Sequence, residues 1–324
     1  MAVKIFLTGA TGYIGGDALH QLYKRHPDFE YALLSANLRG PISSYVGGLI
    51  LILSVRVLTH ILDTADSSDH AGAATAISKG LVQGHSPSRP GFWLHTGGTG
   101  ILTYFDSEVK KVFGELDEKV FNDYEGVEEL VNLPAAAFHR NVDEIVLNTG
   151  NQHADSVKTA IVCPPTIYGE GRGPISGRGR QVYELAHFIL EQKYCPRIGK
   201  GLSRWNNVHV HDLSVVFELL VEAALDPSRK DDAQIWGLTA TSLLRTGSTS
   251  GGICLIKGAA PEVRELSFEE AVKSPAGFEA ASWGMNSRGV AVRARKVLGW
   301  KPQEKSLEDE VPTIVRSEAV RAGL

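Results

Sequence analysis

Val3-Lys4-Ile5-Phe6-Leu7-Thr8-Gly9-Ala10-Thr11-Gly12-Tyr13-Ile14-Gly15 decides how the rest of the chain is read. Six mostly apolar residues make a strand, a glycine turn follows, and a helical stretch runs from about Gly16 to Arg25. A strand that feeds a tight turn and then a helix presents unpaired backbone N–H groups to a phosphate. Gly9 permits the turn, Gly12 lets the backbone approach a pyrophosphate, and Gly15 lets the helix close on the strand. The spacing is G-x-x-G-x-x-G, and its place directly behind an apolar strand predicts a dinucleotide site.

Downstream, strands and helices alternate. Phe29–Leu34, Ile61–Ala65, Gly91–Thr96 and Val157–Cys163 read as strands. Ala71–Gln83, Glu125–Val131, Ala135–Thr149, Gln181–Gln192 and Asp212–Leu225 read as helices. The alternation predicts an α/β fold, a Rossmann-type doubly wound parallel sheet with a smaller C-terminal substrate lobe. Residues 1–165 read as the dinucleotide-binding domain. Residues 166–324 read mainly as the lobe, with 205–225 returning to the core. Ligands are expected beyond the C-terminal ends of the strands.

The 324 residues carry a formal net charge of −4 and are 43% hydrophobic, enough for a full core and without the basic footprint of a nucleic-acid binder. Cys163, Cys195 and Cys254 form no C-x-x-C pair and read as reduced thiols in a cytoplasmic protein. The first residues already belong to a strand, so no leader peptide is expected. The apolar run from Ile42 to Leu62 approaches the length of a membrane span, but Arg56 and His60 interrupt it, and no membrane association is expected. The expected partner is a small-molecule substrate; the oligomeric state is not legible.

Three later segments join the glycine turn in resembling one family. Cys163-Pro164-Pro165-Thr166-Ile167-Tyr168-Gly169, Asn207-Val208-His209-Val210-His211-Asp212-Leu213 and Arg295-Lys296-Val297-Leu298-Gly299-Trp300-Lys301-Pro302 follow TGATGYIG in the same order as in the extended and atypical short-chain dehydrogenase/reductases, the NAD-dependent epimerase/dehydratase-like group. The resemblance implies NAD or NADP as cofactor. It places Gly9, Thr11, Gly12, Tyr13, Ile14 and Gly15 at the pyrophosphate, Thr64 and Ala65 along the cofactor, and Pro164 to Thr166 beside the nicotinamide. It also places the loop from Gly171 to Arg180 at the substrate cleft, where Arg172, Arg178 and Arg180 are candidates for an anionic group.

Two stretches depart from that pattern. About residues 34–60, the end of a strand, a helix and a further strand are expected, with an acid or arginine that reads the adenosine ribose. Only Arg39 is a basic candidate and no acid occurs from Leu34 until Asp63, so the choice between NAD and NADP is not legible. Residues 238–258 contain Thr246-Gly247-Ser248-Thr249-Ser250-Gly251-Gly252, which has neither helical nor strand period. Codons can be chosen for Leu238–Leu255 such that a one-base shift restores a family-like string, so both stretches read as splicing or frameshift products. Sequencing the spliced message decides this; a message encoding the printed residues contradicts it.

Catalysis in the resembling family needs a tyrosine and a lysine four residues later, a spacing that puts both on one helix face. The lysine and cofactor lower the tyrosine pKa so that it can move a proton. None of the nine tyrosines here has a lysine at that spacing. Alignment on Glu144 puts Ala136 at the tyrosine position and Arg140 at the lysine position; Arg140 can bind a ribose but does not share its proton. His139 is a candidate substitute acid. Thr96 and Thr99, in His95-Thr96-Gly97-Gly98-Thr99-Gly100, are candidates to orient a substrate oxygen. His209 and His211 have a strand spacing that points both one way, but no residue set is assigned a metal. The first expectation is an NAD(P)-dependent oxidoreductase acting on a carbonyl or alcohol of a small metabolite. The alternatives are a non-catalytic, redox-sensing NAD(P)-binding protein, as in NmrA-like relatives, and a sugar-nucleotide epimerase or dehydratase.

Overall fold

The computed structural model describes residues 3–34, 59–229, 236–238, 242–245 and 262–324. Strand β1 (Lys4–Thr8) buries Ile5 and Leu7 completely. β1 pairs in parallel with β2 (Glu30–Leu34) on one side and β3 (His60–Asp63) on the other, Ile5 lying between Tyr31 and His60. β4 (Gly91–Thr96) follows, then, past the short β5 (Phe121–Asn122), comes β6 (Val157–Cys163). Further on lie β7 (Thr166–Tyr168), β8 (Cys195–Ile198), β9 (Arg204–His209) and β10 (Trp236–Leu238). The main sheet runs β10-β6-β4-β3-β1-β2 and is parallel throughout. This bears out the α/β doubly wound expectation, and it brings Thr8, Asp63, Thr96 and Cys163 to one edge. β3 ends earlier than expected because the N–H groups of Thr64 and Ala65 turn onto the Thr8 hydroxyl, at 3.0 and 3.1 Å.

Helix α1 (Tyr13–Arg25) starts directly at Gly12, three residues ahead of its expected start. It buries Ala18, Leu19 and Leu22 and ends on Lys24 and Arg25, whose charges suit the negative end of the helix dipole. α2 (Ala71–Gly84), α3 (Val127–Val131) and α4 (Arg140–Gln152) follow. α4 corrects the expected helix over 135–149. A turn closes from Ala137 N–H to the Pro134 carbonyl, and His139 adopts left-handed backbone (φ 67°), so the helix cannot begin before Arg140. Ala136 therefore lies outside it. α5 (Gln181–Gln192) matches its expected span, and α6 (Val210–Leu225) starts two residues early. α1 packs beside α6 and α2 beside α4.

The principal core gathers the sheet, these helices and the late residues Ala291, Ala294, Leu298 and Trp300. A second cluster joins α5, β8 and the helices Phe268–Lys273 and Leu307–Arg321. Asp17, fully buried on α1, ties the glycine–arginine loop to the sheet's helical cover. It accepts from the Arg172 backbone N–H (2.8 Å), Nε (3.1 Å) and Nη2 (2.6 Å), and from Ser214 Oγ on α6 (2.6 Å). Burial opposes the charge of Asp17, yet the hydrogen bonds from Arg172 and Ser214 prevail and hold its pKa below the usual range. Removing one member of such a buried pair costs about 3–5 kcal/mol, a large share of a domain's net stability of about 5–15 kcal/mol.

Cys163 is a free buried thiol. Cys195 is disulfide-bonded, which corrects its reading as a reduced thiol; no C-x-x-C spacing marks that bond. The odd stretches at 34–60 and 238–258 lie almost wholly outside the described residues. No helix among the described residues is long and apolar enough to cross a membrane.

Two buried histidines give stability a pH dependence. Burial, with His85 nearby, lowers the His60 pKa to about 4; burial, with His211 nearby, does the same for His209. An unfolded histidine titrates near 6.5. Both rings are thus neutral in the fold, and their contribution is present above about pH 6.5 and lost as pH falls toward 4. The urea midpoint is expected to fall between pH 7 and 4.5, and His60→Gln to make that fall shallower. Parallel slopes for the two proteins would contradict the assignment.

Candidate functional site

At the C-terminal edge of the sheet the turn from Gly9 to Gly15 is pinned from both sides. Gly9 N–H donates to the Leu34 carbonyl (2.9 Å), and Gly12 N–H donates back to the Gly9 carbonyl (2.8 Å). Gly9 has φ +73°, a conformation in which side chains are strained, and a Cβ there would meet Thr64 Oγ1 at 2.9 Å. A Cβ on Gly15 would fall 2.4 Å from the Gly9 carbonyl oxygen and 2.3 Å from Thr64 Oγ1. Gly12 is different: a Cβ would meet only the Gly9 carbonyl, at 3.1 Å, and otherwise project into open space. Its φ of −77° is ordinary. Gly12 is the N-cap of α1, so the N–H groups of Tyr13, Ile14 and Gly15 have no carbonyl within the helix to receive them. With the dipole they make an anion cradle.

Thr8 organises this edge. Its hydroxyl donates to Asp63 Oδ1 (2.8 Å) while accepting from Thr64 and Ala65, and Thr64 Oγ1 donates to the Thr8 carbonyl (2.5 Å). Asp63 Oδ2 in turn holds His95 Nδ1 at 3.1 Å, and the other ring nitrogen faces Asp143 Oδ1 at 3.8 Å. His95 is fully buried, so this network props the strand ends and does not meet a ligand. Cys163 lies in the same layer. Burial above all, with Asp143 nearby, raises its pKa and keeps it a thiol. The sequence reading did not single out Thr8, Asp63 or His95; the closing Thr of β1 and the closing Asp of β3 were the available signals.

A cavity of about 320 Å³ opens from the cradle. Of the expected site residues, it brings together Gly12, Tyr13, Ile14, Thr64, Thr99, Pro164 and Thr166. Gly9, Thr11, Gly15 and Ala65 shape the turn around it. Thr96 and Arg140 do not line it; both are buried, and Thr96 Oγ1 and Arg140 Nη1 have no hydrogen-bond partner among the described residues. Thr99 Oγ1 is likewise buried without a partner, but on the cavity wall. Tyr13 turns its hydroxyl away, donating to the Gly169 carbonyl at 2.5 Å.

The opposite wall comes from residues that follow β6. Pro165, Ile167, Trp205 and Phe278 make it largely apolar, and the Thr166 hydroxyl bonds Gln181, which donates on to Ser282 (2.8 Å). The loop arginines are not free anion ligands. Arg172 is spent on Asp17, Arg178 is clamped by Glu318 (2.6 Å) and Glu184 (2.6 Å), and Arg180 pairs with Glu279 (2.9 Å). This corrects the expectation for Arg172 and Arg178. Asp17 and Glu318, both distant in sequence, take part in neutralising them, together with the nearby Glu184, and spacing does not reveal the distant pairs.

His209 and His211 do not sit on one strand. His209 closes β9 and His211 lies in the first turn of α6, with rings 4.5 Å apart. With Glu304 they bring ligand-type atoms within 4.8 Å of one another. Those atoms have structural duties: His209 Nδ1 accepts from His211 N–H (3.2 Å), and His211 bridges Glu304 (3.1 Å) and the Glu170 carbonyl (2.9 Å).

The geometry separates the two critical glycines. Gly12→Ala is expected to melt within a few degrees of the parent protein, and Gly15→Ala to melt far lower because its methyl meets backbone. Equal melting temperatures for the two variants would contradict this packing.

No family model matches the chain. A curated relative, the oxidase ucsJ of an Acremonium species, is 33% identical over 360 aligned positions, covering 100% of each chain. Solved structures show the same fold at low identity. UDP-glucose 4-epimerase from Thermotoga maritima aligns with a TM-score of 0.62 at 13% identity, covering 99% of this chain and 100% of that one. dTDP-glucose 4,6-dehydratase from Bacillus anthracis, solved with NAD, gives 0.64 at 13%, covering 97% and 96%. UDP-glucose 4-epimerase from Thermus thermophilus, also with NAD, gives 0.63 at 15%, covering 99% and 100%. With a full-length relative at 33% identity, the chain belongs to the family of the Acremonium oxidase, and it shares the Rossmann-type fold of the NAD-dependent epimerases and dehydratases.

Proposed function

We propose that this protein is an NAD(P)-dependent oxidoreductase that acts on a carbonyl or alcohol of a small, largely apolar molecule. The observation that carries the reading is the cradle at Gly12, a space that a Cβ would fill, set beneath the unpaired N–H groups of α1 and opening into the cavity. The residues present fit a dinucleotide. Tyr13, Ile14 and Gly15 N–H hold the pyrophosphate, Thr64 and Ala65 border the cofactor, and Pro164 to Thr166 flank the nicotinamide. The bound nicotinamide supplies hydride transfer. The chain's own part is to orient the substrate, exclude water and move a proton. Thr99 Oγ1, buried and unpartnered on the wall, is placed to hold the substrate oxygen. The full-length relative is named an oxidase, which agrees with redox chemistry.

The wall argues for an apolar substrate over a sugar nucleotide. A sugar nucleotide would bring a second diphosphate, which needs charge-assisted donors beyond the α1 N–H groups given to the dinucleotide. Here Arg178 and Arg180 are the permanent cations lining the cavity among the described residues, and both are already paired with carboxylates. Phe278 and Trp205 instead offer ring faces and edges. The missing Tyr-x-x-x-Lys pair favours a second reading, a non-catalytic dinucleotide sensor.

Titration with NADH and NADPH, following nicotinamide fluorescence and melting temperature together, tests the reading. Saturable binding that raises the melting point is expected, with Gly12→Ala weakening it at least about tenfold, or about 1.4 kcal/mol. Turnover of aromatic or alicyclic ketones is expected to exceed any action on UDP-sugars. Binding without turnover of any carbonyl or alcohol selects the sensor, and no binding removes both readings.

A further inference from the structure

Given a dinucleotide in this cleft, the reaction still needs a group that gives and takes the substrate's proton, and the position expected for a tyrosine is an alanine outside the helix. We propose that His139, oriented by Asp69, is the proton-transfer residue of this protein. The inference rests on the oxidoreductase reading above and supplies the catalytic group it lacks.

Four observations place the ring. His139 is the N-cap of α4, and its left-handed backbone (φ 67°) turns the residue out of the helix path. Histidine is one of the side chains that enters that region more readily than most. Nδ1 is 2.8 Å from Asp69 Oδ1, which lies on the turn after β3. The Phe138 ring lies against the imidazole, with centroids 3.7 Å apart. Nε2 faces the Gly98–Gly100 turn at the end of β4, only 3.2 Å from where a Cβ on either glycine would stand. The glycines thus leave the ring room beside Thr99, and His139 lines the cavity with them.

The hydrogen bond decides the roles of the two nitrogens. Asp69 is held ionised, its pKa lowered first by the hydrogen bond from His139, with Arg180 adding to the effect. A carboxylate only accepts, so Nδ1 carries a proton and donates it to Asp69. Nε2 is then the nitrogen that exchanges a proton with the cavity. In the reducing direction the carbonyl carbon gains the hydride supplied by the reduced nicotinamide. The carbonyl oxygen takes the proton from Nε2 of the imidazolium. The ring is left neutral and regains its proton from water. In the oxidising direction, neutral Nε2 takes the hydroxyl proton as the hydride leaves carbon. The charged groups set around the ring are Asp69, which bonds it, Arg180 with its partner Glu279, which acts on Asp69, and Arg140 and Asp143 in the first turn of α4.

The test uses the full chain, with His139→Gln and Asp69→Asn. Nicotinamide fluorescence first measures NADPH and NADH affinity in all three proteins. If the parent protein binds neither, the oxidoreductase reading falls and this inference falls with it. If it binds, the ring-proton NMR signal of His139, identified by its loss in His139→Gln, is followed on adding the dinucleotide and a ketone. Movement of that signal is expected; indifference to both ligands overturns the proposal even when no turnover is found. Where a ketone is reduced, His139→Gln is expected to keep dinucleotide affinity within about threefold but to lose about 100-fold or more in kcat. Its pH–rate profile should also lack an ionisation that the parent protein shows. Asp69→Asn, which keeps a hydrogen bond but no charge, is expected to lose about tenfold. A His139→Gln protein with the parent rate and pH profile overturns the proposal.

Discussion

The approach of Gly15 to the Gly9 carbonyl governs the rest of this molecule. There is no room for a single methyl group at that point, because the carbonyl oxygen would lie 2.4 Å away. The closeness lets α1 start immediately at Gly12 and aim its first N–H groups beyond the sheet edge. The Thr8 hydroxyl fixes the other side by gathering Asp63, Thr64 and Ala65 onto the end of β1. Strand ends, helix start and cavity floor are therefore one construction. A looser helix would lose the anion cradle even with the sheet intact.

The segments that resemble the family in sequence meet in space. Tyr13, from the glycine turn, donates to the carbonyl of Gly169, which closes the Cys163–Gly169 segment. The Asn207–Leu213 and Arg295–Pro302 segments join where Trp300 Nε1 donates to the Asp212 carbonyl at 2.9 Å, and Asp212 also receives the N–H groups of Gln303 and Glu304. Asp17 and Arg172 then lock the glycine–arginine loop onto α1. The cavity has the cradle on one wall and Pro165, Ile167, Trp205 and Phe278 on the other.

The sheet was legible because its evidence is local. Apolar strands, a glycine turn and helical periodicity are properties of neighbouring residues, and β4, β6 and α5 occupy their expected spans. The site was half legible. The cradle is a local motif, whereas Asp17, the partner of Arg172, and Glu318, one of the two partners of Arg178, lie 155 and 140 residues away in sequence, so those pairings had no spacing to announce them. The expected helix over 135–149 failed on one backbone angle at His139, which composition does not encode. That angle also moves the acid–base question from a helix face to a turn. His139 was visible as a candidate in the sequence, but its orienting partner Asp69 belongs to a different βα connection.

The central claim is that the start of α1 is the seat of a dinucleotide pyrophosphate. A crystal structure of the protein grown with NADPH or NADH addresses it most directly. The account predicts pyrophosphate oxygens within hydrogen-bond distance of the Tyr13 and Ile14 N–H groups, with the nicotinamide between Pro164 and Thr99. A dinucleotide seated elsewhere, or a pyrophosphate held by side chains away from Gly12, would contradict it.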